Sequence, residues 1–161
     1  MFQAMWQDVF GDKKKSTVDI LKDIPIFESL STSKLDKIAQ FFHVRTYKAG
    51  EIIFQEQEPG ESMYIIKSGE VTIKKLINKK QTTITQLKEG MFFGEVALVD
   101  EENRSASAFA TKPTELLGFF RADLMKLIDR DPRLASFILF QLAKVIGKRL
   151  RVQSDSMELH G

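Results

Sequence analysis

Between His43 and Phe120 the sequence is a succession of short apolar and β-branched runs, each closed by a turn signal. The runs are HVRTY, EIIFQ, SMYIIK, EVTIKKLI, QTTITQL, SASAFAT and TELLGFF. Ala49-Gly50, Pro59-Gly60, Ser68-Gly69, Asn78-Lys79, Glu89-Gly90 and Lys112-Pro113 punctuate the segment. β-branched and aromatic residues suit a half-buried pleated surface, and glycine or proline every few residues stops a helix from growing through it. Strands this short are unstable in isolated pairs, so they must assemble with one another. The pattern predicts a jelly roll or a small barrel.

The flanks have a different period. Ser16 stands three residues before Asp19, a capping-box spacing that predicts a helix to about Lys22, with Pro25 as its stop. A second helix is expected over SLSTSKLDKIAQFF, capped by Ser31 or Ser33, with Leu35, Ile38, Ala39 and Phe42 on one face. After Phe120, RADLMKLIDRDPRLASFILFQLAKVIGKRLRVQ returns to helical spacing, and Asp131 and Pro132 suit the cap and first turn of a long last helix. Leu134, Phe137, Ile138, Leu142, Val145 and Ile146 form its apolar stripe, available to pack on the roll, cover a ligand or pair with a second copy. Phe2, Met5, Trp6, Val9 and Phe10 also fall at helical spacing, in a segment expected to pack on its own domain or contact a partner or membrane surface. Helices, β-roll, helices is an α+β order. We divide it into an extension over 1–23, a main domain over 24–152 and a tail over 153–161.

Composition then excludes function classes. With 161 residues and 43% hydrophobic content, one domain with a real core is expected. Lys plus Arg number 24 against 22 Asp plus Glu, and this near balance announces no nucleic-acid or membrane surface. Lys144, Lys148, Arg149 and Arg151 read as a solvated helix end rather than a DNA-reading surface. The absence of cysteine excludes disulfides, thiolate metal sites and cysteine nucleophiles. His43 and His160 are far apart and lack metal-ligand spacing, so His43 is read as a strand-start residue. Neither a GxxxxGKS/T phosphate loop nor a GxSxG elbow occurs, and neither metal nor catalysis is expected. No apolar run approaches the roughly 20 residues that span a bilayer. The N-terminal charges follow the apolar residues, unlike a secretory leader, so a soluble cytoplasmic protein is expected.

The stretch FFGEVALVDEENRSASAFAT, Phe92 to Thr111, does not read as ordinary core. Gly94 permits a tight turn and close backbone approach, and the residues after it have enough helix propensity for one short turn. A helix start presents unpaired N–H groups and favours an anion. Arg104, beyond the VDEEN loop, can fold back toward that turn and offer a planar fork of donors to a phosphate. Glu95 makes sense beside an anion if the ligand also carries a hydroxyl, because a carboxylate accepts strongly from O–H. In a 3′,5′-cyclic nucleotide only the ribose 2′-hydroxyl is free, so one arginine and one glutamate would recognise a cyclic ribonucleotide. The competing reading is an internal Glu95–Arg104 ion pair, with Ala97 and Leu98 as core.

The run FGEVALVDEENRSASAFA resembles the phosphate-binding cassette of cyclic-nucleotide-binding domains, the family of the catabolite activator protein and the regulatory subunits of cAMP-dependent protein kinase. Upstream, AGEIIFQEQEPGESMYIIKSGEV is similar to that family's glycine-punctuated roll, with Gly50, Gly60 and Gly69 at its turns. The likeness runs from about Ile24 to Arg151. It implies an eight-stranded antiparallel β-roll flanked by helices. By position it implies that Glu95 is the ribose-binding glutamate and Arg104 the phosphate-binding arginine. Gly94, Val96 and Ala97 match the backbone facing sugar and phosphate, with Phe93 and Ala106 bordering the set. Ser105 matches a phosphate contact that influences base choice. Many cGMP-preferring members have threonine there, so serine implies cAMP, with cGMP as the alternative. Met91 follows Gly90 where the family often has aspartate, which removes that loop's usual polar group. The resemblance further implies ligand-driven movement of the C-terminal helices, an effector protein outside this chain, and a homodimer through an N- or C-terminal helix. No helix-turn-helix segment follows GKRLRVQ within the 161 residues, so a sensor without its own DNA-binding or catalytic output is expected. The alternative is a nucleotide-independent scaffold or dimerisation module of the same fold.

Overall fold

The computed structural model describes residues 14–158, so the helix expected around Phe2 to Phe10, and His160, lie outside the described residues. Helix α1 (Thr17–Leu21) opens with the expected reciprocal cap. The Ser16 hydroxyl accepts from the Asp19 N–H at 3.2 Å, and the Asp19 carboxylate accepts from the Ser16 N–H at 3.2 Å. Helix α2 (Thr32–Ala39) is capped by Ser31, whose hydroxyl accepts from the Lys34 N–H; Ser33 lies inside the helix.

Eight strands follow: β1 (His43–Tyr47), β2 (Ile52–Phe54), β3 (Ser62–Ser68), β4 (Glu70–Ile77), β5 (Lys80–Lys88), β6 (Phe92–Phe93), β7 (Ser107–Ala110) and β8 (Thr114–Phe120). Helices α3 (Arg121–Arg130) and α4 (Pro132–Glu158) complete the described chain. Asp131 caps α4 by accepting from the Leu134 N–H at 3.1 Å. The helix continues to Glu158, into the segment 153–161 expected as a tail. Strand β6 is not among the expected runs. Two phenylalanines carry no alternation to read, and only their pairing with Tyr64 and Ile65 makes them a strand.

The strands form two four-stranded antiparallel sheets, ordered β1-β8-β3-β6 and β2-β7-β4-β5. Alternation along β3 explains the layering. Met63 and Ile65 point to one face, where they pack with Leu117, Phe119, Phe27 of the α1–α2 connection and the helices through Leu21, Leu35, Leu124 and Ile138. Tyr64 and Ile66 point to the other, where they meet Val71, Phe93, Ala108 and Leu116 between the sheets. Buried on both faces, β3 reads as a continuous apolar run, whereas edge strand β5 is exposed along nearly all its length. The hairpin β4–β5 turns on Asn78 and Lys79, both at positive φ, a two-residue connection whose twist matches that of the strands.

The stripe expected on α4 packs on the core. Leu134, Ile138 and Leu142 are buried, and Phe137, Val145 and Ile146 lie against the same cluster. His43 begins β1 as expected, with Nε2 3.0 Å from the Asp123 carboxylate. Among the described residues no helix is long and apolar enough to cross a membrane.

Candidate functional site

Strand β6 delivers the chain to Gly94, which adopts φ +76° and caps a short 3-10 helix over Glu95–Leu98. The positive φ at Gly94 favours glycine, and a Cβ there would lie 2.7 Å from Nη1 of Arg104 and displace the guanidinium. The Ala97 N–H donates to the Gly94 carbonyl at 3.2 Å and closes the turn. The amides of Glu95 and Val96 stand at its start, where a helix supplies no acceptor. This is the single helical turn expected between two strands.

The chain then loops back and is pinned beside the β2–β3 connection. Arg104 donates its N–H to Glu58 O at 2.7 Å and its carbonyl accepts from the Gln57 N–H at 2.8 Å, while Asn103 bridges Pro59. These bonds aim the Arg104 side chain inward, where the residue is only 8% exposed. Its Nη2 donates to the Ser62 carbonyl at 2.7 Å and to the Ser62 hydroxyl at 3.2 Å; Nη1 lies 3.4 Å from the Gly94 carbonyl. The guanidinium sits 4.0 Å from the Phe54 ring centroid, and Phe54, Tyr64 and Phe93 form an aromatic floor beneath it. Nε is buried and has no partner. Burial pulls the Arg104 guanidinium below its ordinary pKa; Tyr64 opposes this, Arg121 adds to it and Glu61 opposes it. A bound anion would offset both the desolvation and the Arg121 repulsion, so the residues present fit a phosphate.

Glu95 is also buried, at 4% exposure, but its partner is not Arg104. Arg149, from α4, donates from Nη1 to the Glu95 carboxylate, and its guanidinium lies 4.6 Å from the Phe92 ring centroid. Its Nη2 also donates to the Phe92 carbonyl at 3.3 Å. Arg149 is about half exposed, as a solvated helix end would be, but it also reaches from α4 to the Glu95 carboxylate and to Phe92 of β6, contacts the sequence did not suggest. The Glu95–Arg104 ion pair offered as the competing reading does not form among the described residues; Glu95 pairs instead with Arg149, 54 positions away. A carboxylate has two oxygens, so the pair leaves Glu95 capacity to accept from a hydroxyl.

These features surround one cavity of about 510 Å³, within the range of small-molecule sites. Phe93, Gly94, Glu95, Val96, Ala97, Arg104, Ser105 and Ala106, all singled out from sequence, line it together. The lining also includes Phe54, Ile73, Thr85, Leu87 and Arg149, which sequence reasoning did not assign to a site. For the strand residues, the available signal was alternation: Ile73, Thr85 and Leu87 share the inward parity of β4 and β5. Met91 is about half exposed at the loop and is not part of the lining.

The model of the cyclic nucleotide-binding domain family matches residues 44–131, more than half of the chain. The chain belongs to that family. As a cyclic nucleotide-binding domain it is similar to the cyclic AMP receptor protein of Thermus thermophilus, with 35% identity over 140 residues, covering 86% of this chain and 63% of the relative. It is also 31% identical to a cGMP-dependent protein kinase of Caenorhabditis briggsae over 131 residues, 80% of this chain and 18% of the kinase. The crystal structure of a cyclic nucleotide-binding domain from Methylobacillus flagellatus superposes with a TM-score of 0.79 at 25% identity, covering 96% of this chain and 86% of that one. The chain thus spans less than two thirds of the two curated relatives. Among the described residues of this cyclic nucleotide-binding domain, no group of three or more metal-binding side chains is assembled.

Proposed function

We propose that this domain is a cyclic-nucleotide sensor whose preferred ligand is cAMP, and that it acts on an effector rather than by catalysis. The observation that carries the reading is the buried Arg104, whose Nε lacks a partner, facing the same cavity as the buried carboxylate of Glu95. In this reading Arg104 and the amides opening the 3-10 helix hold the cyclic phosphate. Glu95 accepts from the ribose 2′-hydroxyl, Gly94, Val96 and Ala97 approach with their backbone, and the base lies toward Ile73, Thr85 and Leu87. Ser105 at the mouth and the likeness to a cyclic AMP receptor protein favour adenine over guanine. Because Arg149 of α4 shares Glu95 with the ligand, occupancy biases the position of α4. A cytoplasmic setting, an unidentified effector and a homodimer through a terminal helix complete the proposal.

Calorimetric titration with cAMP, cGMP and linear AMP tests it. Saturable heat with cAMP, weaker heat with cGMP and none with linear AMP is expected. No heat with any of the three, together with an unchanged melting midpoint, would instead favour a nucleotide-independent scaffold.

A further inference from the structure

Arg121 does not line the cavity, and no motif in the sequence singles it out, yet it touches three segments that surround the site. It is the first residue of α3, and its backbone N–H donates to Glu61 O at 2.8 Å. Its Nε donates to Ala97 O at 3.0 Å, in the 3-10 helix. Nη2 donates to Asp100 O at 2.7 Å, in the following loop, and to Gly60 O, in the β2–β3 turn. All three guanidinium acceptors are backbone carbonyls. A charged side chain bonded in this way braces the main chain instead of neutralising a carboxylate.

We propose that Arg121 is a positioning residue that clamps the segment 94–104 to the start of α3, so that ligand-driven displacement of that segment displaces α3. The inference rests on the ligand reading above. Carbonyls at the end of a short helix have no intrahelical donor, and a rigid planar fork serves two segments at once where an ammonium would act as a point donor. Helix α3 then buries Leu124 and Leu127 in the cluster that holds Leu134 and Ile138 of α4, so the brace continues into the last helix. The positive charge of Arg121 also acts at Arg104, after burial and against Tyr64. An anion on Arg104 therefore attracts Arg121 as well. The domain thus has two separate ties from the site to its C-terminal helices, Arg121 to α3 and Glu95–Arg149 to α4.

The chain contains no cysteine, so spin labels can be placed at Gln86→Cys on β5 and Lys126→Cys on α3, both exposed. The distance distribution is measured by pulsed electron resonance with and without saturating cAMP, in the wild type, Arg121→Lys and Arg121→Gln, beside calorimetry of each. We expect a cAMP-dependent shift in the wild type. Both variants are expected to bind within about tenfold of it while losing at least half of the shift. A shift of wild-type size in Arg121→Gln overturns the role of Arg121, as does a wild type that binds cAMP without any shift. A wild type that gives no heat with cAMP overturns the ligand reading itself, before Arg121 is tested. If both variants fail to fold, the Arg121 Nε–H resonance of the wild type decides. Slow exchange and a cAMP-dependent shift support the brace, and a solvent-exchanging signal indifferent to cAMP overturns it.

Discussion

Replacing Arg104 by alanine is the perturbation with the most to lose. In the proposed complex the guanidinium makes charge-assisted bonds to phosphate, and loss of such a bond costs about 1.5–3 kcal/mol. That corresponds to roughly 10- to 150-fold in affinity. The fold itself is expected to survive. Truncation leaves the Ser62 carbonyl without its 2.7 Å donor and removes the stack on Phe54, which costs about 1–3 kcal/mol. Against this, it also removes a charge whose burial is unfavourable enough to lower its pKa. A domain of this size has about 5–15 kcal/mol in hand. Calorimetry with cAMP at fixed salt, on Arg104→Ala, Arg104→Lys and the exposed control Lys148→Ala, reads the effect. Lysine keeps the charge but cannot bond Ser62 and a phosphate as a fork, so it should fall between wild type and alanine. An Arg104→Ala dissociation constant within about threefold of wild type, or equal to that of Lys148→Ala, would show that phosphate is not held there.

Three further outcomes test other parts of the structure. Removing the 2′-hydroxyl from cAMP should weaken binding by about tenfold in the wild type, whereas in Glu95→Ala cAMP and its 2′-deoxy analogue should bind alike; discrimination that survives the substitution would refute the role of Glu95. Lys79 holds φ +64° in a two-residue hairpin, so Lys79→Gly should raise stability by about 0.5–1 kcal/mol, seen as a melting midpoint about 1–4 °C higher. A lower midpoint would refute that account. The Asp131 carboxyl is held below its ordinary pKa by the hydrogen bond from Lys37 at 2.6 Å and by the Leu134 N–H. Because the folded pKa is the lower one, the stabilisation is complete above the unfolded carboxyl range and is lost as pH falls through the folded value. The melting difference between wild type and Lys37→Met should therefore be widest near neutrality and shrink below about pH 4. A gap that stays constant down to about pH 2 would show that the pair contributes nothing through its charge.

Much of this domain is written in local pattern. Ser16 with Asp19, Ser31, and Asp131 with Pro132 mark helix starts because a cap needs only residues three positions apart. Turn residues divide seven of the eight strands because glycine, proline and asparagine act on their own φ angles. Gly94, Glu95 and Arg104 fall within one short stretch, so the cavity they line together could be proposed as a site from the chain alone.

Assembly decided the rest. Phe92 and Phe93 become a strand only when Tyr64 and Ile65 are beside them. Arg149, in a basic helix end and still half exposed, reaches Glu95 only because of where α4 docks. Arg121 finds Gly60 from 61 positions away, and its partners are carbonyls, which every residue possesses and no sequence distinguishes. Propensity, capping and turn geometry act over a few residues and are legible in the chain. Which far-separated groups meet depends on sheet register and helix docking, which only the packed core sets.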